Sequence, residues 1–195
     1  MPSAETHFRE VAPKYMAMFL ADFPRMNKLD AAAVFGNLGH ESIGFTALQE
    51  LEPVVKGSRG GWGWAQWTGP RRRAFESYAK RNKLDLKADA TNYKFLWVEL
   101  HGDEAKAIDA LRAAVTLEDK VVAFEKAFLR AGVKHYPSRQ RWAQIALDAY
   151  ENADWKGGEA NPHTPETPAP PANWLTALIS IVVNILKAIA ERLRK

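Results

Sequence analysis

The part of this sequence best suited to chemistry is a carboxylate that closes a helix of unusually small residues. Phe35-Gly36-Asn37-Leu38-Gly39-His40-Glu41-Ser42 follows a face built from Ala32, Ala33, Gly36 and Gly39 and delivers Glu41 to its end. A carboxyl in that place is poorly solvated when charged and faces the negative end of the helix dipole, so its pKa is expected to rise. Such a group can keep a proton near neutrality, which a general acid needs if it is to protonate the leaving oxygen of a glycosidic bond. About twenty residues on comes Gly60-Gly61-Trp62-Gly63-Trp64-Ala65-Gln66-Trp67-Thr68-Gly69-Pro70-Arg71. Glycines let backbone amides approach a ligand, indole faces stack on sugar rings, and Gln66 and Thr68 can hydrogen-bond to hydroxyls. The candidate substrate-binding residues are therefore Trp62, Gly63, Trp64, Gln66, Trp67 and Thr68, with at least one of the three tryptophans expected in the core.

Those groups need a helical scaffold. Apolar residues recur at three-to-four spacing, and helices are expected at about 4–22, 30–41, 70–82, 90–101, 104–114, 117–131 and 138–152. Asp30, Thr68 or Gly69 ahead of Pro70, Asp89, Asp103 and Thr116 are read as N-caps or first-turn signals. Residues 46–67, rich in glycine and aromatics and containing Pro53, should form a small irregular hairpin or loop. The expected fold is mainly α: a domain of residues 1–155 with a small β or loop lobe.

Residues 156–172 hold Gly157, Gly158 and five prolines, the composition of an extended linker. Beyond it, residues 173–195 are expected as one amphipathic helix. Leu175, Leu178, Ile179, Val182, Ile185, Leu186, Ile189 and Leu193 share one side, and Lys187, Arg192, Arg194 and Lys195 make its end basic. The apolar run before Lys187 is about 13 residues, short of the roughly 20 needed to span a bilayer, so a helix lying on an anionic membrane surface is expected.

With 195 residues, 47% of them hydrophobic, and seven Trp and nine Phe, the chain can bury a substantial core. The absence of cysteine excludes disulfides, thiolate metal sites and cysteine nucleophiles, and with five scattered histidines no metal or cofactor is expected. A net charge of +4 favours anionic partners. The basic residues are spread along the chain and interleaved with acids, which argues against nucleic acid. The N-terminus lacks the features of a signal peptide, so synthesis in a cytoplasm is expected.

Gly39-His40-Glu41-Ser42 together with Gly61-Trp62-Gly63-Trp64-Ala65-Gln66-Trp67-Thr68-Gly69 resembles the catalytic-glutamate helix and the following glycine, aromatic and glutamine signature of phage lysozymes in the lysozyme-like superfamily. Tail-associated phage lysozymes are the nearest match. The stretch Phe128-Leu129-Arg130-Ala131-Gly132-Val133, followed by Arg139 and Trp142, is similar to their C-terminal helices, and the resemblance covers about residues 30–150. The chain is also similar to phage endolysins related to plant-type chitinases, where a His-Glu-Ser/Thr acid precedes a second glutamate and a Gln-Leu-Thr-Gly run. That resemblance makes Glu50 the candidate base, implying inversion with carboxyls about 6.5–9.5 Å apart. Trp67 stands where leucine is usual, and Glu52 is equally near.

The resemblance implies a peptidoglycan hydrolase that cleaves the β-1,4 bond between aminosugars; a monomer is expected, made in a host cytoplasm and acting on the wall in the periplasm. A lytic transglycosylase and a chitinase are the enzymatic alternatives, and a non-catalytic wall-binding or membrane-disrupting protein is the alternative of another class. Arg71, Arg72 and Arg73 open a helix where cations oppose the dipole; an acidic partner, a solvated face or stem-peptide carboxylates would answer that. His135 and Tyr136 read as capping or packing residues, and Glu99 beside His101 carries no motif.

Overall fold

The computed structural model describes residues 2–50, 53 and 57–153. Among them the order is α1 (Ala4–Asp22), α2 (Lys28–Glu41), α3 (Gly69–Arg81), α4 (Asp89–His101), α5 (Lys106–Ala113), α6 (Leu117–Phe124), a π-helical turn (Glu125–Leu129) and α7 (Tyr136–Glu151). The linker expected at 156–172 and the amphipathic helix expected at 173–195 lie outside the described residues.

Helix α2 is the axis of the fold. Residues 30–39 are all buried, because α1, α6 and α7 all pack on it. A helix enclosed on several sides needs small residues where neighbours cross. A Cβ on Gly36 would stand 2.3 Å from the Ala143 Cα of α7, so that crossing is backbone against backbone. The helix starts earlier than expected, since Asn27 is the cap: its Oδ1 accepts from the amides of Leu29 at 2.8 Å and Asp30 at 3.2 Å. Asp30 closes the capping box by accepting from the Asn27 amide at 2.8 Å. Its other oxygen takes the Lys120 ammonium at 2.5 Å, and Lys120 also donates to the carbonyls of Leu111 and Ala114 at 2.9 Å each. This buried pair is tolerable because its charges are opposed and hydrogen-bonded.

Other helix ends match the expected signals unevenly. Thr116 caps α6, accepting from the Asp119 amide at 3.1 Å, and Asp89 lies in the first turn of α4. Asp103 caps nothing, because α5 begins at Lys106 with Ala105 before it. The helix expected over 117–131 divides at Glu125. That side chain is fully buried and accepts from the Ala131 amide at 2.8 Å, the Tyr136 hydroxyl at 3.0 Å and the Lys134 ammonium at 3.1 Å. Satisfying the carboxylate pulls the following chain back across the helix end. Arg130 then terminates it in the left-handed region at φ 57°.

The expected β lobe does not form as strands among the described residues. It is reduced to two antiparallel bridges, Gln49 with Trp62 and Trp62 with Trp67. Gly60, Gly63 and Gln66 all adopt positive φ, so the chain reverses too often for a ladder to extend.

Candidate active site

The end of α2 opens onto a groove of about 780 Å³, within the range of small-ligand sites. Four of the eight residues singled out from the sequence line it: Glu41, Glu50, Gln66 and Thr68. Three residues that follow Glu41 turn the chain sharply: Ile43, Gly44 and Phe45 have φ of 48°, 63° and 70°. Ser42 secures the turn, its hydroxyl donating to the Leu38 carbonyl at 2.7 Å and accepting from the Phe45 amide at 3.2 Å. At Gly44 a Cβ would meet the Ala4 carbonyl oxygen at 2.5 Å, so close approach and backbone conformation both demand glycine.

The surroundings of Glu41 differ from the apolar niche expected. Its Oε1 accepts from Arg139 Nη2 at 2.6 Å, while the side chain stays 19% exposed. Arg139 itself is 1% exposed. It also donates from Nε to the Lys134 carbonyl at 2.6 Å and from Nη1 to the Asn37 Oδ1 at 3.3 Å. Asn37 is buried and anchored in turn, its Nδ2 donating to the carbonyls of Ala33 at 2.9 Å and Val121 at 3.1 Å. One Glu41 oxygen is thus held by a guanidinium that two further acceptors fix, and Oε2 has no protein partner among the described residues. The close α2–α7 crossing supplies this cation from about a hundred residues away, beyond the reach of any local reading.

Glu50 is held in the same way: its Oε2 accepts from the Gly61 amide at 2.7 Å, and Oε1 has no protein partner among the described residues. Gln66 faces the groove but spends its Nε2 inside the fold, donating to the carbonyls of Gly63 at 3.0 Å and Ala47 at 3.2 Å. Thr68 precedes α3 without a side-chain capping bond, and its exposed hydroxyl has no protein partner among the described residues. Buried Arg72 laces the loop from below, reaching the Arg59 and Gly60 carbonyls and the Gln49 Oε1.

Trp62, Gly63, Trp64 and Trp67 do not line this groove, and two of the three tryptophans are core, in keeping with the expectation that at least one would be. Trp64 is buried, stacked on Phe45 at 4.2 Å between centroids and edge-on to Tyr15 at 5.0 Å. Trp67 is buried against Phe75 and Phe95, and its Nε1 donates to Glu99 at 2.6 Å. Trp62 is half-buried under the Arg72 guanidinium. The Gly63 amide donates to the Leu48 carbonyl at 2.7 Å, so it offers nothing to a ligand. The local composition could not separate these cases, because core neighbours from α1 and α4 decide which indole turns inward.

Sequence reasoning also left Arg139, Gln49 and Glu99 without roles. A signal for Arg139 existed: it shares the buried stripe of α7 with Ala143 and Ala146 at i+4 and i+7. Glu99 is buried and takes Arg71 through both oxygens at 2.7 and 2.8 Å, which answers the dipole conflict at the start of α3. His135 precedes α7 in the left-handed region, and its carbonyl accepts from the Arg139 amide at 3.1 Å. Three non-glycine residues with positive φ line the groove: Gln66, Arg130 and Ile43, the last 56% exposed and β-branched. Strain of about 1–3 kcal/mol per such residue concentrates at sites where geometry serves function.

Two further charge states are set by their surroundings. The hydrogen bonds from Lys134, Tyr136 and the Ala131 amide together outweigh burial and hold the Glu125 carboxyl below its ordinary pKa. His40, whose Nδ1 lies 2.9 Å from the Ser138 hydroxyl, is pushed from 6.5 down to about 4 by burial first and then by Arg139 and His135. The unfolded chain binds this proton near 6.5 and the folded chain only near 4. The stabilising preference for neutral His40 is therefore complete above about 6.5 and is lost as the pH falls through that window. Thermal midpoints of the native protein should drop more steeply between pH 7 and about 4.5 than those of His40→Gln; parallel curves would remove His40 from this account.

A family model described as phage tail lysozyme matches residues 10–150. No curated protein and no solved structure matches the chain.

Proposed function

The chain belongs to the phage tail lysozyme family, and from that premise we propose that it hydrolyses the β-1,4 bond between the aminosugars of peptidoglycan during phage lysis of its host. The observation that carries this reading is that Glu41 and Glu50 line one groove, each with one oxygen anchored and the other without a protein partner among the described residues. In this mechanism Glu41 Oε2 carries the proton to the leaving oxygen. The Arg139 guanidinium on Oε1 stabilises the carboxylate left behind. Glu50, through its free oxygen, takes a proton from the water that attacks the opposite face of the sugar, and the Thr68 hydroxyl orients that water. The water adds to the anomeric carbon as the bond to the leaving oxygen breaks, so each turnover gives one new reducing end.

Mass spectrometry of fragments released from purified peptidoglycan tests the reaction. Hydrolysis gives reducing ends. Fragments lighter by one water would make the protein a transglycosylase instead, cleavage of chitin oligomers alone would make it a chitinase, and wall binding with no released fragments would leave it non-catalytic.

A further inference from the structure

A second groove, of about 610 Å³, adjoins the first across a chain of ion pairs. Arg130, which lines the first groove, holds Glu104 of the second at 2.7 Å, and Glu104 lies 3.8 Å from Arg71. One wall of the second groove is α3, which presents Arg73, Ser77 and Arg81 at i, i+4 and i+8. Of the three consecutive arginines at 71–73, Arg71 is committed to Glu99 and Arg72 to Glu76. Arg73, like Arg81, is exposed and has no partner among the described residues. At 1.5 Å per helical residue these two free cations stand about 12 Å apart along α3. The facing turn offers Asp103, exposed and likewise unpaired, and the floor between is apolar, made by Phe95 and Val98.

We propose that this second groove binds the stem peptide of the same peptidoglycan strand whose glycan occupies the first, an inference that rests on the glycosidase reading above. A stem peptide is short and anionic, carries side-chain or terminal carboxylates, has one amine on its diamino acid, and is otherwise mostly alanine methyls. Two arginines meet the carboxylates, Asp103 meets the ammonium, and the Phe95 and Val98 floor meets the methyls. Four extended residues span about 13–14 Å, which matches the separation of the arginines. The peptide branches from the glycan at the lactyl ether, so it must leave the first groove over a rim, and the Arg130–Glu104 pair forms one.

The test is titration of the full chain with a free stem tetrapeptide at low salt, followed by calorimetry, for the native protein and R73Q/R81Q. Both arginines lack partners among the described residues, so the variant should keep its thermal midpoint. Loss of two exposed ionic contacts should weaken the peptide roughly tenfold, and added salt should weaken the native complex. In turnover, R73Q/R81Q should raise KM on intact peptidoglycan and leave kcat, and all rates on peptide-free glycan, unchanged. The inference is overturned if the native protein does not bind the tetrapeptide, if the variant binds it equally well, or if bare N-acetylglucosamine oligomers compete it away. Binding that depends on both arginines in a protein that cleaves no glycan would sink the glycosidase reading and leave the groove's ligand standing. Cleavage without peptide binding would do the reverse.

Discussion

Replacing Glu41 by glutamine is expected to lower the rate of glycan cleavage roughly 10³-fold, the usual scale of a lost general acid. The side chains are isosteric, and the glutamine Oε1 can still accept from Arg139 Nη2, which donates to Glu41 at 2.6 Å. What disappears is the proton on the free oxygen. The variant should therefore remain folded, with unfolding lowered by only a few degrees because a buried guanidinium now faces a neutral acceptor. Release of soluble fragments from purified peptidoglycan, measured beside circular dichroism, separates the two effects. Unchanged lysis by a folded Glu41→Gln protein would remove Glu41 from the mechanism.

Arg139→Met is expected to damage both stability and turnover. The guanidinium is 1% exposed and serves Glu41, Asn37 and the Lys134 carbonyl together. Methionine fills much of the volume but leaves those acceptors unpaired, at a cost of about 3–5 kcal/mol for breaking a buried pair from one side. Urea unfolding should register that loss. Turnover of the fraction that remains folded should fall roughly 10²-fold, because a carboxylate no longer held at Oε1 can drift by an ångström from its productive position. Arg139→Lys discriminates the causes. It restores the charge but not the planar fork, so it should recover part of the stability and little of the turnover. Full recovery of both by lysine would mean that charge alone matters and that the three-point anchoring of the guanidinium is incidental.

Both predictions depend on a geometry in which loop and helix ends are strained while the helices beneath are tightly packed. Ile43, Gln66 and Arg130 hold left-handed backbone at the groove. Beneath them Gly36 and Ala143 are in backbone contact, and Asp30 with Lys120 ties α2 to α6. A rigid scaffold of this kind can over-determine unfavourable φ values at the surface above it.

Helix placement was legible in the sequence because it rests on local signals. The three-to-four spacing, the proline after Gly69 and the Thr116 cap act over a few residues, and helices stand close to where those signals put them. The same locality let glutamate at the end of a small-residue helix, and a polar Gln66 to Thr68 segment, be read as neighbours of one groove once the family resemblance joined them. The partner of Glu41 was decided only by the tertiary structure, since Arg139 meets it across a crossing that Gly36 and Ala143 allow. So was the fate of the tryptophans. Trp64 and Trp67 turn inward because Phe45 and Tyr15, and Phe75 and Phe95, leave apolar space there. An indole's composition is the same on either side of a loop, and only neighbours brought from distant positions determine which side excludes water.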